Sequence, residues 1–171
     1  MEETKQVHIP IGQERDIENE ELEVVLSWEM YGEKIDLDLT AVLLTDTGQL
    51  IDAVYFNKTK SDDEAIIHSG DLRSGQTERI NEKITINLSK LSPSTKIIAI
   101  LINSASGQGF QRIETAELTL YSSKQRYLSF NCAIKGDFLT LYSALIYKKD
   151  DFSKWKIKNI SEAGNQKNFV E

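Results

Sequence analysis

Cysteine and histidine are both scarce in this sequence, and each scarcity removes a class of explanation. The single cysteine, Cys132, cannot form a disulfide within the chain, so the fold is held without cross-links, as in a reducing compartment. Its setting, SFNCAIKG, reads as a small buried hydrophobe before a reactive thiol, because nothing beside it would lower its pKa. There are two histidines, His8 and His68, and no HExxH, GxSxG, Walker A or Rossmann pattern. A non-enzymatic protein is expected. No apolar run approaches the ~20 residues of a bilayer span, so direct membrane insertion is not expected. The first residues, MEETKQVHIPIGQERDIE, are acidic and polar, unlike a secretory signal, and a cytoplasmic location follows as the expectation. A basic footprint is missing too: 20 Lys and Arg stand against 27 Asp and Glu, for a net charge of −7. With the cations scattered, nucleic acid is not an expected partner.

What is present is a period of two. In LEVVLSW, Leu22, Val24, Leu26 and Trp28 fall on one face; in KIDLDLTAVLL, Ile35, Leu37, Leu39, Ala41 and Leu43 do the same. The other face of that second segment begins with Asp36, Asp38 and Thr40 and turns apolar at Val42 and Leu44, so it enters the interior on both sides. Asp46-Thr47-Gly48 supplies turn chemistry after it. Further strands are read at 49–56, 64–69, 83–88, 96–103, 116–121, 126–130, 138–148 and 154–160, with one helical turn in SKLSP before Pro93. Many short strands separated by turn residues predict an all-β fold, a sandwich of two antiparallel sheets. At 171 residues the chain makes one domain. It is placed at 16–163, after an N-terminal extension or first strand at 1–15 and before a tail at 164–171. The first ten to fifteen residues read as loosely held. KWKIKNI, with alternating lysines, reads as a protected sheet edge. Trp28, Trp155 and the tyrosines at strand spacing read as core and sheet surface before a ligand pocket.

Two constellations carry oxygen ligands. Asp36 and Asp38, two apart on a strand, point the same way and want a counterion, a lysine or a hard cation. His68-Ser69-Gly70-Asp71 opens a polar loop that reaches Asn81 and Glu82, with oxygens also at Ser74, Gln76 and Glu78. The loop is compatible with calcium but lacks the EF-hand order, so spacing alone does not identify a metal. His68 with Asp71 has the makings of an acid–base pair, yet a strand-end histidine orienting the loop is the plainer reading.

In order and spacing, Ile35-Asp36-Leu37-Asp38-Leu39-Thr40-Ala41, then Tyr55-Phe56-Asn57, then His68-Ser69-Gly70-Asp71 resemble the TerD domain of tellurite resistance. Asn87-Leu88-Ser89-Lys90-Leu91, Gly107-Gln108-Gly109-Phe110 and Trp155-Lys156-Ile157 are similar to its later landmarks. The resemblance implies a C2-like or TerD-like β-sandwich, calcium held by acidic loops at one end, a part in tellurite or general stress resistance, and no enzymatic activity. Carried over by position, Asp36, Asp38, Asp71, Asn81 and Glu82 form the metal set.

The departures thin that set. Leu72 stands where the family has an amide, Gln76 where it has a glutamate, and Ile80-Asn81 where it has an aspartate pair. Each removes ligand charge or a ligand, which lowers calcium affinity. One weak calcium site is expected in a module that binds other proteins, related TerD-family domains among them. The alternative is a metal-independent scaffolding sandwich, with Lys83 or Arg79 standing in for the cation.

Overall fold

The computed structural model describes residues 5–6, 9–18, 20–29, 37–73, 79–104, 115–122, 125–131, 140–150 and 154–164. Its strands are β1 Lys5–Gln6, β2 Glu14–Asp16, β3 Glu21–Glu29, β4 Leu37–Leu44, β5 Leu50–Val54, β6 Ile66–Arg73, β7 Arg79–Asn87, β8 Ile97–Ser104, β9 Thr115–Tyr121, β10 Gln125–Asn131, β11 Thr140–Tyr147 and β12 Lys156–Gly164. They form two sheets, β1-β10-β9-β3-β7-β6 and β2-β12-β11-β8-β4-β5. All pairings are antiparallel apart from the two residues of β1, which run parallel to β10. The expected all-β sandwich is therefore the observed fold.

Period-two burial produces it. Leu22, Val24 and Leu26 of β3 are buried, as are Leu37, Leu39, Ala41 and Leu43 of β4, because alternate side chains point into the space between the sheets. β4 also buries Thr40 and Val42 on its second face, as the switch from aspartate to valine foretells. Gly48 takes φ +83° in the turn after β4, a conformation a Cβ would strain. A 3₁₀ turn at Leu88–Lys90, capped by Asn87, occupies the place of the expected helical turn.

Four expectations are corrected. The strand read at 49–56 ends at Val54, since Tyr55 and Lys58 close a tight turn through mutual backbone hydrogen bonds of 2.9 and 3.1 Å. KWKIKNI is not an edge: β12 lies between β11 and β2, with Lys156 opposite Asp16 and Lys158 opposite Glu14. Its Lys156 ammonium sits 3.2 Å from Asp16 and 3.8 Å from Glu14. Nor is the chain loose throughout its first fifteen residues. Ile9 is wholly buried in the core, and Asn159 Nδ2 donates to its carbonyl at 2.8 Å. The fourth correction concerns the polar loop. β6 continues through Gly70 to Arg73 and β7 begins at Arg79, so Asp71, Asn81 and Glu82 lie on paired strands. A register shift between His68 and Asp71 lets the strand absorb the glycine as a bulge instead of ending there.

Candidate functional site

The segments at 37–41, 68–71 and 81–82 meet at one corner of the sandwich, where β4 crosses β7. β5 pairs with β4 only from Ala41 to Leu44, which leaves the Leu39 N–H beyond the end of that ladder. A buried amide needs an acceptor, and Glu82 provides it from the opposite sheet: Leu39 N donates to Glu82 Oε2 at 2.7 Å. Glu82 points inward because it keeps the alternation of Ile84 and Ile86 on β7, and it is fully buried. His68 joins it from β6, with Nε2 3.6 Å from Glu82 Oε2 and neither side chain exposed. That distance is an electrostatic contact longer than a hydrogen bond. Ser69 seals the bulge by accepting from Lys83 N at 3.0 Å. The register sets Asp71 opposite Glu82 and Leu72 opposite Asn81.

The predicted ligands are thus near one another along the chain path but not all on one side. Asp38 lies between Leu37 and Leu39, which are buried at 1% and 0%, so its carboxylate projects from the outer face of β4 while Glu82 faces the interior. Asp36 and the side chains of Asp71 and Asn81 lie outside the described residues, as do Ser74, Gly75, Gln76, Glu78, His8, Cys132 and the segment 107–110. Calcium takes six to eight oxygens at about 2.3–2.6 Å. Asp38 and Glu82 do not share such a shell, and one Glu82 oxygen already carries an amide proton. Among the described residues, no three His, Cys, Asp or Glu side chains gather. These two residues do not fit a common ion. Lys83 does not replace the cation, since its ammonium lies on the surface, 3.9 Å from Glu23. His68 is not at a strand end: β6 runs five residues beyond it.

A sequence model of the TerD domain matches residues 5–169. The chain belongs to the TerD family. Within it, this TerD domain is 39% identical over 84 residues to the tellurium resistance protein TerZ of Serratia marcescens, an alignment covering 49% of this chain and 44% of that protein. The aligned part thus spans less than half of that relative. Among solved structures, a homologue of telluride resistance protein (TerD) from Streptomyces coelicolor A3(2) superposes with a TM-score of 0.74 at 17% identity, over 89% of this chain and 94% of the other. A protein of unknown function gives 0.78 at 14% identity over the same shares. At those identities the likeness carries the fold.

Sequence reasoning missed a second set of carboxylates in this TerD domain, in β5 and the crossover from it to β6. Asp63 accepts from Ser61 Oγ at 2.6 Å, Ala65 N at 3.0 Å and Ser92 N at 2.8 Å. Burial works to raise its pKa, but those hydrogen bonds together hold it below the usual carboxylate value. Asp52 behaves alike: burial pushes it up, and Lys58 at 2.6 Å with the amides of Asp62 and Ala53 brings it below the usual value. The available signal was Ser61-x-Asp63, a local turn pattern, though its long-range partner Ser92 is not visible in sequence.

Proposed function

We propose that this TerD-family chain is a non-enzymatic binding module of a tellurite-resistance or stress response, working in the cytoplasm through contacts with other proteins, related TerD domains among them. One observation carries the non-enzymatic part. The His68–Glu82 pair, which has acid–base chemistry in it, is sealed between the sheets with no exposed side-chain surface, where no substrate meets it. Similarity to a tellurium resistance protein supports the type of response.

The module has two versions. In one, the corner of β4, β6 and β7 takes a single calcium ion weakly, with oxygens from Asp36, Asp71 and Asn81. The meeting of segments 43 positions apart at Leu39 and Glu82 favours it. In the other, the corner is metal-independent and the domain is a scaffold. Glu82, already bonded to Leu39 N–H through Oε2 and set against His68, supports this version better, because a donor of the protein's own serves one of its oxygens. Thermal unfolding in EDTA and across a calcium titration, with magnesium as control, separates them. A ligand that binds the folded state stabilises it by about 2.7 kcal/mol at a hundredfold excess over Kd. A saturable, calcium-selective rise establishes the first version; a flat curve to millimolar calcium, with partners retained in EDTA, establishes the second. Failure to associate with any related TerD domain at about 100 µM, where even micromolar affinities saturate, would remove those domains as partners.

A further inference from the structure

β4 runs from the acidic corner, where Leu39 meets Glu82, to Leu44 at the opposite pole. With its neighbours β8 and β11 it carries apolar residues on both faces: β8 reads IIAILI and β11 reads LYSALIY. Strands with such near-continuous apolar runs are those covered on two sides, yet the facing sheet of this sandwich covers only one.

The residues left for the outer side fall into register. Tyr147, Ile97, Leu44 and Leu50 are successive cross-strand partners on β11, β8, β4 and β5. One pleat further along, Leu145, Ala99, Val42 and Ala53 repeat the arrangement. Both rows end on β12 and β2 in charged residues, Lys156 beside Asp16 and Lys158 beside Glu14. Leu50 is 60% exposed, while Leu44, Ile97, Ala99, Leu145 and Tyr147 are half-buried. The outer face of the other sheet differs. There Glu23, Lys83, Thr85, Glu117 and Thr119 surround Val25 and Tyr121 on β3, β7 and β9, the polar alternation of a face turned to water.

Width, relief and charge together specify what covers the apolar face. It is four strands wide, about 19 Å at ~4.8 Å per strand. A helix with its side chains is about 10–12 Å across, so another sheet is the better match. The two rows also differ in size. Tyr147, Ile97, Leu44 and Leu50 make a ridge; Ala99, Val42 and Ala53 make a trough, closed at one end by Leu145. A two-fold axis lying between the rows sets the ridge of each copy into the trough of the other, as an isologous interface requires. Copies of a chain with net charge −7 repel one another, but this flank is balanced. It sets two lysines against two carboxylates, with the Lys156 ammonium 3.2 Å from Asp16 and 3.8 Å from Glu14.

We propose that the outer face of the β2-β12-β11-β8-β4-β5 sheet binds a second copy of this chain, sheet against sheet, at the ~10 Å separation of packed sheets. Such pairing rests on the reading of the chain as a protein-binding module and supplies that module's surface. Two rows of side chains bury less than the ~800 Å² per partner of a stable complex, so the dimer is transient.

Sedimentation of the full chain from about 10 µM to 1 mM, the span in which weak complexes form, tests it. The expected result is a weight-average mass that rises from monomer toward dimer. Leu50→Lys changes a side chain that is already 60% exposed; it should weaken pairing about tenfold and leave the melting temperature unchanged. Ala99→Arg fills the trough and should weaken pairing at least as much. Ile67→Lys, at an exposed apolar position of β6 in the other sheet, should change nothing. A monomer throughout that range, with the face served from within the chain or by another protein, overturns the proposal. So does a dimer that Leu50→Lys and Ala99→Arg leave unchanged, or one that Ile67→Lys breaks equally. Adding a related TerD domain separates this outcome from the broader reading. Association with it by a chain that stays monomeric overturns the second-copy assignment and spares the binding module; absence of both removes both.

Discussion

The two poles of this sandwich bury polar groups of different kinds. At the acidic corner, where the family motif lies, Glu82 is turned inward, bonded to Leu39 N and set against His68. At the other pole, where the landmarks at 87–91 and 155–157 lie, the Thr95 hydroxyl is buried with no hydrogen-bond partner. Acidic residues in a familiar order therefore need not be a binding site; a glutamate that serves a neighbouring amide is a structural tie.

The strongest way to break this contrast is at Glu82. Glu82→Ala leaves the Leu39 amide buried without its acceptor and opens a void, and should cost about 3 kcal/mol of stability in urea denaturation. Glu82→Gln keeps an acceptor oxygen and should cost about 1 kcal/mol. Equal losses for the two would mean that the carboxylate's charge, and so a cation, matters more than the bond to Leu39.

Asp63 comes next, since it ties the crossover to the segment between the 3₁₀ turn and β8. Asp63→Ala removes acceptors for Ser61, Ala65 and Ser92 and should cost about 2 kcal/mol at neutral pH. The pH dependence has a defined sign. Its pKa in the fold is lowered below the ordinary 3.8, so the contribution is complete above that value and disappears as pH falls through the lower, folded one. Wild type and variant should therefore converge in stability in strong acid. A constant gap down to that range would show that hydrogen bonds to the ionised form are not what Asp63 contributes.

How far each pole was legible in sequence follows from what periodicity can see. Leu22, Val24 and Leu26, or Leu37 and Leu39, declare their inward face by spacing alone, and all are buried. A strand's neighbours are not encoded in its own spacing. KWKIKNI resembled an edge because its lysines alternate, but β2, some 140 positions earlier, supplies Glu14 and Asp16 to that flank. Gly70 resembled a loop because a bulge and a turn ask for the same residue; only the register of Asp71 with Glu82 separates them. At the second pole, Ser92 and Asp63 lie 29 positions apart, and Lys148, just after β11, meets Trp155, just before β12. Neither pairing leaves a local pattern.

Thr95 sharpens the comparison with a change of sign. A buried hydroxyl without a partner destabilises the fold that contains it, so Thr95→Val should raise stability by about 1 kcal/mol, or ~2–4 °C in melting temperature for a domain of this size. Valine matches the shape of threonine and leaves no void. A fall of similar size would mean that the hydroxyl is serving the fold.

The smallest effect is expected at Lys83, the residue that an unmetallated corner would need as its cation. Its ammonium is 3.9 Å from Glu23, and both side chains are more than a third exposed. Such a surface pair is worth under about 1 kcal/mol, and usually less, since solvent screens it and two long side chains must be ordered. Lys83→Met should thus change stability by no more than ~0.5 kcal/mol and leave the response to calcium as it was. A large loss, or a calcium response that appears only in the variant, would place positive charge at the corner after all. Glu82 would then be one member of an ion cluster and not a tie between sheets. A null result instead leaves Leu39 N and His68 as the groups that accommodate it, with no cation required from either the solvent or the chain.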